Sequence, residues 1–346
     1  MKYKVGIIGR FAFGKELLNG QTIKTRILTE TIQSSLPEEN MSLVDTYGGV
    51  KAFFRLPFQC IGAVFKCKNL VILPAYKGLR IIAPFLTLLN IVFHRKLHYV
   101  VIGGWLNNLL EGKYFLTWCL KQFDWIYVET SSMKKKLEEQ GFKNVVQMPN
   151  FKQLPVLEEV ELPICNGQEF RLCIFSRVMK EKGIEIAVDA INTINKKMGK
   201  TVFSLDIYGQ IDIYQTQWFD DLCSTFPCNI RYCGEVAYDK SVETLKYYDV
   251  LLFPTQYYTE GIPGTIIDAY AAGLPVIASI WENYSDIIDE GTGIGYPFND
   301  PRGLESSLMN LAMNPEALPL MKRNCLKKAQ QYSAKNVIGI LLENFS

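Results

Sequence analysis

The chain has 346 residues, 48% of them hydrophobic, which is length and apolar material enough for two domains of ordinary size. Its nine cysteines are scattered, include no Cys-x-x-Cys pair and follow no secretory apolar region behind Met1-Lys2-Tyr3; this reads as reduced cytoplasm and not as a disulfide framework. Cys223, Cys228 and Cys233 are evenly spaced but lack the tighter ligand pairs of structural zinc.

The net charge of +2 conceals a division. Residues 1–160 hold 21 Lys and Arg against 12 Asp and Glu, and residues 161–346 hold 16 against 23, so the halves carry about +9 and −7. Between Asp45 and Glu111 there is no acid, yet Lys51, Arg55, Lys66, Lys68, Lys77, Arg80, Arg95 and Lys96 lie there. Such a stretch calls for an anionic partner. Nucleic acid is disfavoured, because no recognition helix, zinc finger or aromatic RNA-binding signature is present.

Taken in chain order, short apolar runs alternate with helical patterns. The predicted strands are YKVGIIG, NLVILP, LHYVVIGG, DWIYVE and NVVQMPN in the first half, then FRLCIFS, FSLDIYG, IRYCGEV, DVLLFPT and LPVIAS in the second. Strands alternating with helices indicate parallel sheets, and continuous Val/Ile/Leu runs indicate burial on both faces. The fold class is therefore α/β, two Rossmann-like, doubly wound parallel-sheet domains. The segment MPNFKQLPVLEEVELPICNGQEF, with three prolines and no helical periodicity, places the boundary near residues 151–168. This gives domains over 1–155 and 156–329. The stretch from Pro315 onward has a helical pattern, and its basic run MKRNCLKKAQQY is placed to cap that helix or cross back to the first domain, which a helix at 330–346 would complete.

The acid-free stretch is also apolar and aromatic. Its longest uncharged run, Ile81 to Phe93, has 13 residues and contains Pro84, short of the about 18 needed to cross a bilayer. A basic, aromatic surface can instead lie in the headgroup layer of an anionic membrane; the plainer reading is core elements with solvated lysines at their ends.

In open parallel sheets ligands sit beyond the carboxyl ends of the strands, so the residues after each apolar run are the site candidates. Gly6, Gly9 and Gly14 lack the Gly-x-Gly-x-x-Gly spacing, which removes the best support for a nicotinamide-dependent oxidoreductase. In SRVMKEKG, Arg177 and Lys182 follow a buried strand, a placement suited to a diphosphate; the alternative is surface pairing of Lys182 with Glu181 or Glu185. In TEGIPGTIIDAYAAGLPVIAS, Pro263 favours a first helical turn, and Gly261 and Gly264 let backbone approach a ligand. Glu260 and Asp268 bridge that turn and can accept hydrogen bonds from sugar hydroxyls, or can be solvated charge at a helix start.

As a set, SRVMKEKG, LDIYGQ, YCGEV, DVLLFPT and TEGIPGTIIDAYAAGLPVIAS resemble the retaining glycosyltransferases of the GT-B fold, family four. GKELLNGQTIKTR, HYVVIGGWL and YVETSSMKKKLEEQGFKNVVQMPNF are similar to the bacterial branch that builds capsular and other surface polysaccharides. The resemblance implies two domains facing a central cleft, the first binding the acceptor and the second the nucleotide-sugar donor. It implies catalytic roles for Arg177, Lys182 and Glu260, the cations holding the donor diphosphate and Glu260 contacting the donor sugar. Asp268 stands where the family has a ribose-binding Glu. Gly209, Glu235, Val236, Gly261, Ile262, Pro263, Gly264 and Thr265 complete the implied donor site, and Phe13, Gly14, Lys15, Gly103, Gly104 and Trp105 the implied acceptor and phosphate loops. Several relatives carry a histidine near the reacting sugar; here the matching strand end reads Gly103-Gly104-Trp105, with His94 and His98 before it.

The implied activity is retaining transfer of a hexosyl unit from a UDP- or GDP-sugar to a lipid-linked glycan acceptor. The implied place is the inner, cytoplasmic face of the membrane, with the protein peripheral on anionic lipid. No cofactor and no metal are expected, since there is no Asp-x-Asp motif and the cations stand in for a divalent ion. A non-catalytic nucleotide-sugar-binding partner of another glycosyltransferase is the alternative.

Overall fold

In a computed structural model, which describes residues 3–15, 20–36, 41–163 and 169–345 (backbone alone for 3, 4 and 50–53), the strands form two six-stranded parallel sheets. Residues 16–19 of the GKELLNGQTIKTR motif, 164–168 of the predicted linker and the Lys51 side chain lie outside the described set. Two units divide the chain, residues 1–153 with 333–346 and residues 154–332.

The first unit runs β1 (Tyr3–Gly9), α1 (Gly20–Ser35), β2 (Met41–Asp45), α2 (Gly49–Lys66), β3 (Cys67–Ile72), α3 (Tyr76–Phe93), β4 (Lys96–Val100), α4 (Leu106–Leu110), α5 (Tyr114–Lys121), β5 (Trp125–Val128), α6 (Ser131–Glu139) and β6 (Val145–Gln147). Its strand order is β2-β1-β3-β4-β5-β6. The second runs β7 (Phe170–Phe175), α7 (Ile184–Met198), β8 (Phe203–Tyr208), α8 (Thr216–Cys223), β9 (Ile230–Gly234), α9 (Ser241–Leu245), β10 (Val250–Phe253), α10 (Gly264–Ala271), β11 (Val276–Ser279), β12 (Gly293–Tyr296), α11 (Pro301–Met313) and α12 (Leu318–Ala329), ordered β12-β11-β10-β7-β8-β9. The last helix, α13 (Ala334–Leu342), returns to the first unit. The basic residues before it stay in the second, where buried Lys322 pairs with Asp249 at 3.4 Å and Lys328 with Asp289.

The alternation of strand and helix follows from burial. Val5, Ile7 and Ile8 of β1, Leu70, Val71 and Ile72 of β3, and Leu251 and Leu252 of β10 are buried, as expected for strands covered by helices on both faces. β2 and β12 were not among the predicted strands. Each lies at an edge of its sheet and is only partly buried, and MSLVD and GIGY hold no apolar run longer than two branched residues.

The strand order reverses between β1 and β3 in the first sheet and between β7 and β10 in the second. These are the two places where a crevice opens beyond the strand ends.

The uncharged run around Pro84 is part of a longer helix. α3 has 18 residues and a mean hydropathy of 1.4, long and apolar enough by length and composition alone to cross a bilayer. Here it buries Leu79, Ile82, Ala83, Leu86 and Thr87 in the core of the first unit. Pro84 in α3 and Pro57 in α2 each sit inside the helix without ending it; packing of the buried face outweighs the roughly 3 kcal/mol that an internal proline costs.

His98 lies within β4 rather than before the strand, fully buried, with Nδ1 3.1 Å from the Tyr127 hydroxyl and Nε2 3.3 Å from Asn69 Oδ1. A neutral ring that donates through Nε2 and accepts through Nδ1 satisfies both contacts. Burial pulls its pKa from 6.5 down to about 4. Above pH 6.5 the ring is neutral in both folded and unfolded chains; as pH falls from 6.5 toward 4 the unfolded chain takes the proton first, so roughly 3 kcal/mol of stability is lost across that window. Urea midpoints measured from pH 7 to pH 4 should therefore fall more steeply in the native protein than in His98→Gln, and parallel curves would refute it.

Candidate functional site

In the second unit the loop after β7 carries Arg177 and Lys182, and the loop after β10 carries Glu260. The strand-order reversal sets these loops side by side. Lys182 Nζ donates to Glu260 Oε2 at 2.6 Å, with 18% and 20% of the two side chains exposed. Lys182 pairs neither with Glu181, which accepts from Gln215, nor, among the described residues, with Glu185. Its ammonium also lies 5.6 Å from the centre of the Phe253 ring. The Thr255 hydroxyl reaches the same carboxylate oxygen at 3.5 Å, Asn283 Nδ2 donates to the Glu260 carbonyl at 2.7 Å, and the Gln256 N–H donates to the Glu181 carbonyl at 2.8 Å. Both loops are thus latched to each other and to the residues after β11.

Gly209 follows β8 with φ 138°, and a Cβ there would stand 1.8 Å from the Ser176 carbonyl oxygen. Only a bare backbone lets the ends of β7 and β8 approach so closely. Gly209 N–H donates to the Gly234 carbonyl at 2.9 Å, and the Tyr232 hydroxyl donates to the Gly209 carbonyl at 2.8 Å. Glu235, exposed, and Val236, half-buried, follow β9 directly. Arg177 is exposed and 3.7 Å from Asp212, a surface pair of little energetic weight whose guanidinium is accessible to an anion.

Pro263 is the N-cap of α10 rather than its first helical residue, and it offers no side-chain cap. The first-turn N–H groups of Gly264 and Thr265 therefore have no cap partner, the arrangement that favours an anion at a helix start. The Thr265 hydroxyl donates to the Phe175 carbonyl and ties α10 to the end of β7. Gly261 lies in the loop before the helix, and Ile262 turns its side chain into the core. Asp268 is 2% exposed and accepts from the Ser241 hydroxyl at 3.0 Å. It is held beneath the surface against α9, not beside Glu260 across an open turn.

In the first unit Phe13, Gly14 and Lys15 form the loop after β1. Phe13 is exposed and stacks on Phe11 at 4.9 Å, and Lys15 donates to the Tyr47 hydroxyl at 3.2 Å. Two residues that sequence reasoning missed hold this loop. The Asp45 carboxylate accepts the N–H groups of Phe11, Ala12, Phe13 and Tyr47 at 2.9–3.3 Å, and Arg26 donates to the carbonyls of Phe11, Ala12 and Lys15. Asp45 ends β2, so the strand and its terminal acid escaped notice together. Gly103, Gly104 and Trp105 follow β4, separated from the first loop by β3. Gly103 N–H donates to Glu129 Oε1 at 3.3 Å, and that oxygen also accepts from buried Lys24 at 2.6 Å. Trp105 Nε1 donates to the Ile102 carbonyl. Neither histidine approaches this strand end: His98 is within the sheet and His94 caps α3.

Among the described residues no group of three or more His, Cys, Asp or Glu side chains is placed to hold a metal ion. What the second unit presents is a cation and a carboxylate joined between the loops after β7 and β10, with a second, exposed cation on the first loop and a helix start following the second, an arrangement that can take a phosphate ester through the cations and hydroxyls through the acid.

Residues 169–314 match the family Glycosyl transferases group 1. A curated relative, the amylovoran biosynthesis glycosyltransferase AmsK of Erwinia amylovora, is 24% identical over 154 residues, which is 42% of this chain and 36% of the length of AmsK. Among solved structures, the sucrose-phosphate synthase of Thermosynechococcus elongatus superposes with a TM-score of 0.74 at 16% identity, covering 99% of this chain and 98% of that one. Anabaena HepE, solved in complex with UDP, superposes with a TM-score of 0.75 at 11% identity over 98% of each chain. With two six-stranded parallel sheets and these likenesses, the chain has the GT-B fold, and its second unit carries a glycosyl transferases group 1 domain.

Proposed function

We propose that the chain is a retaining, metal-independent glycosyltransferase that moves a hexosyl unit from a nucleoside-diphosphate sugar, uridine-based in first preference, to a lipid-linked glycan acceptor during bacterial surface polysaccharide synthesis. The carrying observation is the Lys182–Glu260 pair at the strand-order reversal of the second sheet. As the bond from the anomeric carbon to the diphosphate breaks, Lys182, Arg177 and the first-turn N–H groups of α10 compensate the charge on the departing diphosphate. Glu260 orients the hydroxyls of the sugar. Lys182, Glu260 and the start of α10 are held in place before substrate arrives, so their stabilisation needs little reorganisation during the reaction. The first unit holds the acceptor, whose hydroxyl oxygen bonds to the anomeric carbon on the face the diphosphate leaves, with configuration kept and the hydroxyl proton passing to the departing diphosphate.

The UDP bound to HepE supports a uridine donor, and the role of AmsK in amylovoran biosynthesis supports a polysaccharide product. A peripheral position on the inner membrane face is supported by exposed Phe54, Phe58 and Phe65 on α2, exposed Ile81, Leu88 and Val92 on α3, and exposed Tyr114, Phe115 and Trp118 on α5, all in the basic half. Calorimetric titration with UDP, GDP and their hexose conjugates tests the reading. A uridine conjugate should bind, and adding a lipid-linked oligosaccharide should release UDP. Failure to bind any nucleotide would sink it, and binding without release would leave a non-catalytic nucleotide-sugar-binding partner.

A further inference from the structure

The first unit contains a cavity of about 690 Å³ that the donor chemistry does not use. It opens where β1, β2 and β3 end, at the strand-order reversal of that sheet, the place where ligands of such folds collect. Its size is that of a small-molecule site. Leu56, Pro57 and Cys60 of α2 form one wall, and Ile81, Ile82 and Phe85 of α3 form the other.

The rim has a different chemistry. Arg10 and Lys77 line the cavity, and neither has a carboxylate partner among the described residues. Arg10 Nε is buried without a hydrogen-bond partner, its guanidinium 5.3 Å from the centre of the Tyr47 ring. Arg80, over the ring of Tyr76, adds a further cation at a residue of the same rim. Asp45, which ends β2 just before the rim residues Thr46 and Tyr47, already accepts four backbone N–H groups. The starts of α2 and α3, at Gly49 and Tyr76, also line the cavity, and neither has a side-chain cap. An apolar slot whose rim cations have no carboxylate partner among the described residues is complementary to an aliphatic chain that ends in phosphate.

The slot also has a direction. Ile81 and Phe85 of its wall continue along α3 as exposed Leu88 and Val92, at spacings of three or four residues that keep one helical face. An apolar track thus leads away from the cationic rim along the helix. One slot between one pair of helices holds one chain, which favours a single-chain lipid phosphate over a two-chain phospholipid.

We infer that the α2–α3 cavity binds the phosphate and the adjoining chain segment of a single-chain lipid phosphate or diphosphate, the anchor of the acceptor. This rests on the lipid-linked acceptor proposed above. It adds a site formed by Arg10, Lys77 and the α2–α3 walls, distinct from the loops at Phe13–Lys15 and Gly103–Trp105.

The test uses the full chain without donor, with farnesyl diphosphate, farnesol and inorganic diphosphate as probes in calorimetry. Farnesyl diphosphate should bind at least tenfold more tightly than either fragment. Arg10→Gln and Lys77→Gln should each weaken it about tenfold, and Ile81→Asn, an uncharged polar change at a half-exposed wall position, should weaken it similarly while leaving inorganic diphosphate unchanged. A diazirine-tailed analogue should label peptides containing residues 56–60 or 81–85 of the native protein, a readout that does not depend on any variant folding. Equal affinity for inorganic and farnesyl diphosphate, labelling elsewhere, or full displacement by phosphatidylglycerol vesicles at equal lipid phosphate would overturn the assignment. If UDP binds and farnesyl diphosphate does not, this inference fails alone; if farnesyl diphosphate binds and no nucleotide does, the donor reading fails and the cavity stands.

Discussion

Lys182→Met is expected to lower sugar transfer about 100- to 1,000-fold, or roughly 3–4 kcal/mol of barrier, the scale on which one preorganised charge-stabilising donor acts. The substitution keeps the aliphatic stem beside Phe253 and removes only the charge. It also leaves Glu260, one-fifth exposed, without its cation, so some loss of stability accompanies it and thermal melting belongs beside the kinetics. Glu260→Gln separates the two roles, because the amide oxygen still accepts from Lys182 while the charge is gone. If Lys182 acts on the departing diphosphate, its loss falls on kcat; if Glu260 orients the sugar, Glu260→Gln loses transfer with Lys182 intact. A Lys182→Met protein that melts near the native temperature and turns over at the native rate would end the assignment.

Gly183→Ala should destabilise the second unit by at least about 3 kcal/mol, with transfer lost in whatever remains folded. Gly183 has φ 70°, a left-handed conformation that costs an alanine about 1 kcal/mol or more. The larger part is contact: a Cβ would stand 1.9 Å from the Pro254 carbonyl oxygen, and that oxygen belongs to backbone between β10 and the loop bearing Glu260. The strain cannot be relieved by a side-chain rotation, so one of the two loops must move, and Lys182 moves with it. Chemical denaturation checks the stability, and nucleotide titration checks the geometry. An alanine variant with native stability would mean that the close approach of these loops is not required.

Ten of the twelve strands were legible because burial on both faces of a parallel sheet demands a continuous apolar run, as in LCIF, VLLF and LVI. β2 and β12 were not, since MSLVD has only two adjacent branched apolar residues and GIGY is half glycine, too short an apolar signal to read as a strand. Missing β2 concealed Asp45, whose role depends on ending that strand beneath the Phe11–Phe13 backbone. Arg177, Lys182 and Glu260 could be picked out one by one, as charged residues in the segments that follow buried strands. Their mutual arrangement could not: Lys182 and Glu260 are 78 residues apart, and nothing local distinguishes Glu260 from Glu181 or Glu185 as the partner. Asp268 shows the same limit in reverse, because a residue four past a helix start faces solvent or core according to what packs there, and here α9 with Ser241 packs there.

The order of apolar runs, the charge division and the residue types at strand ends were determined by the sequence by itself, because hydrophobic burial and backbone geometry act on neighbours along the chain. Which carboxylate meets Lys182, which acid is buried, and the presence of a cation-rimmed slot between α2 and α3 were decided only by tertiary structure. Those features arise from strand order and crossover handedness, which bring distant segments together and leave no mark on either segment alone.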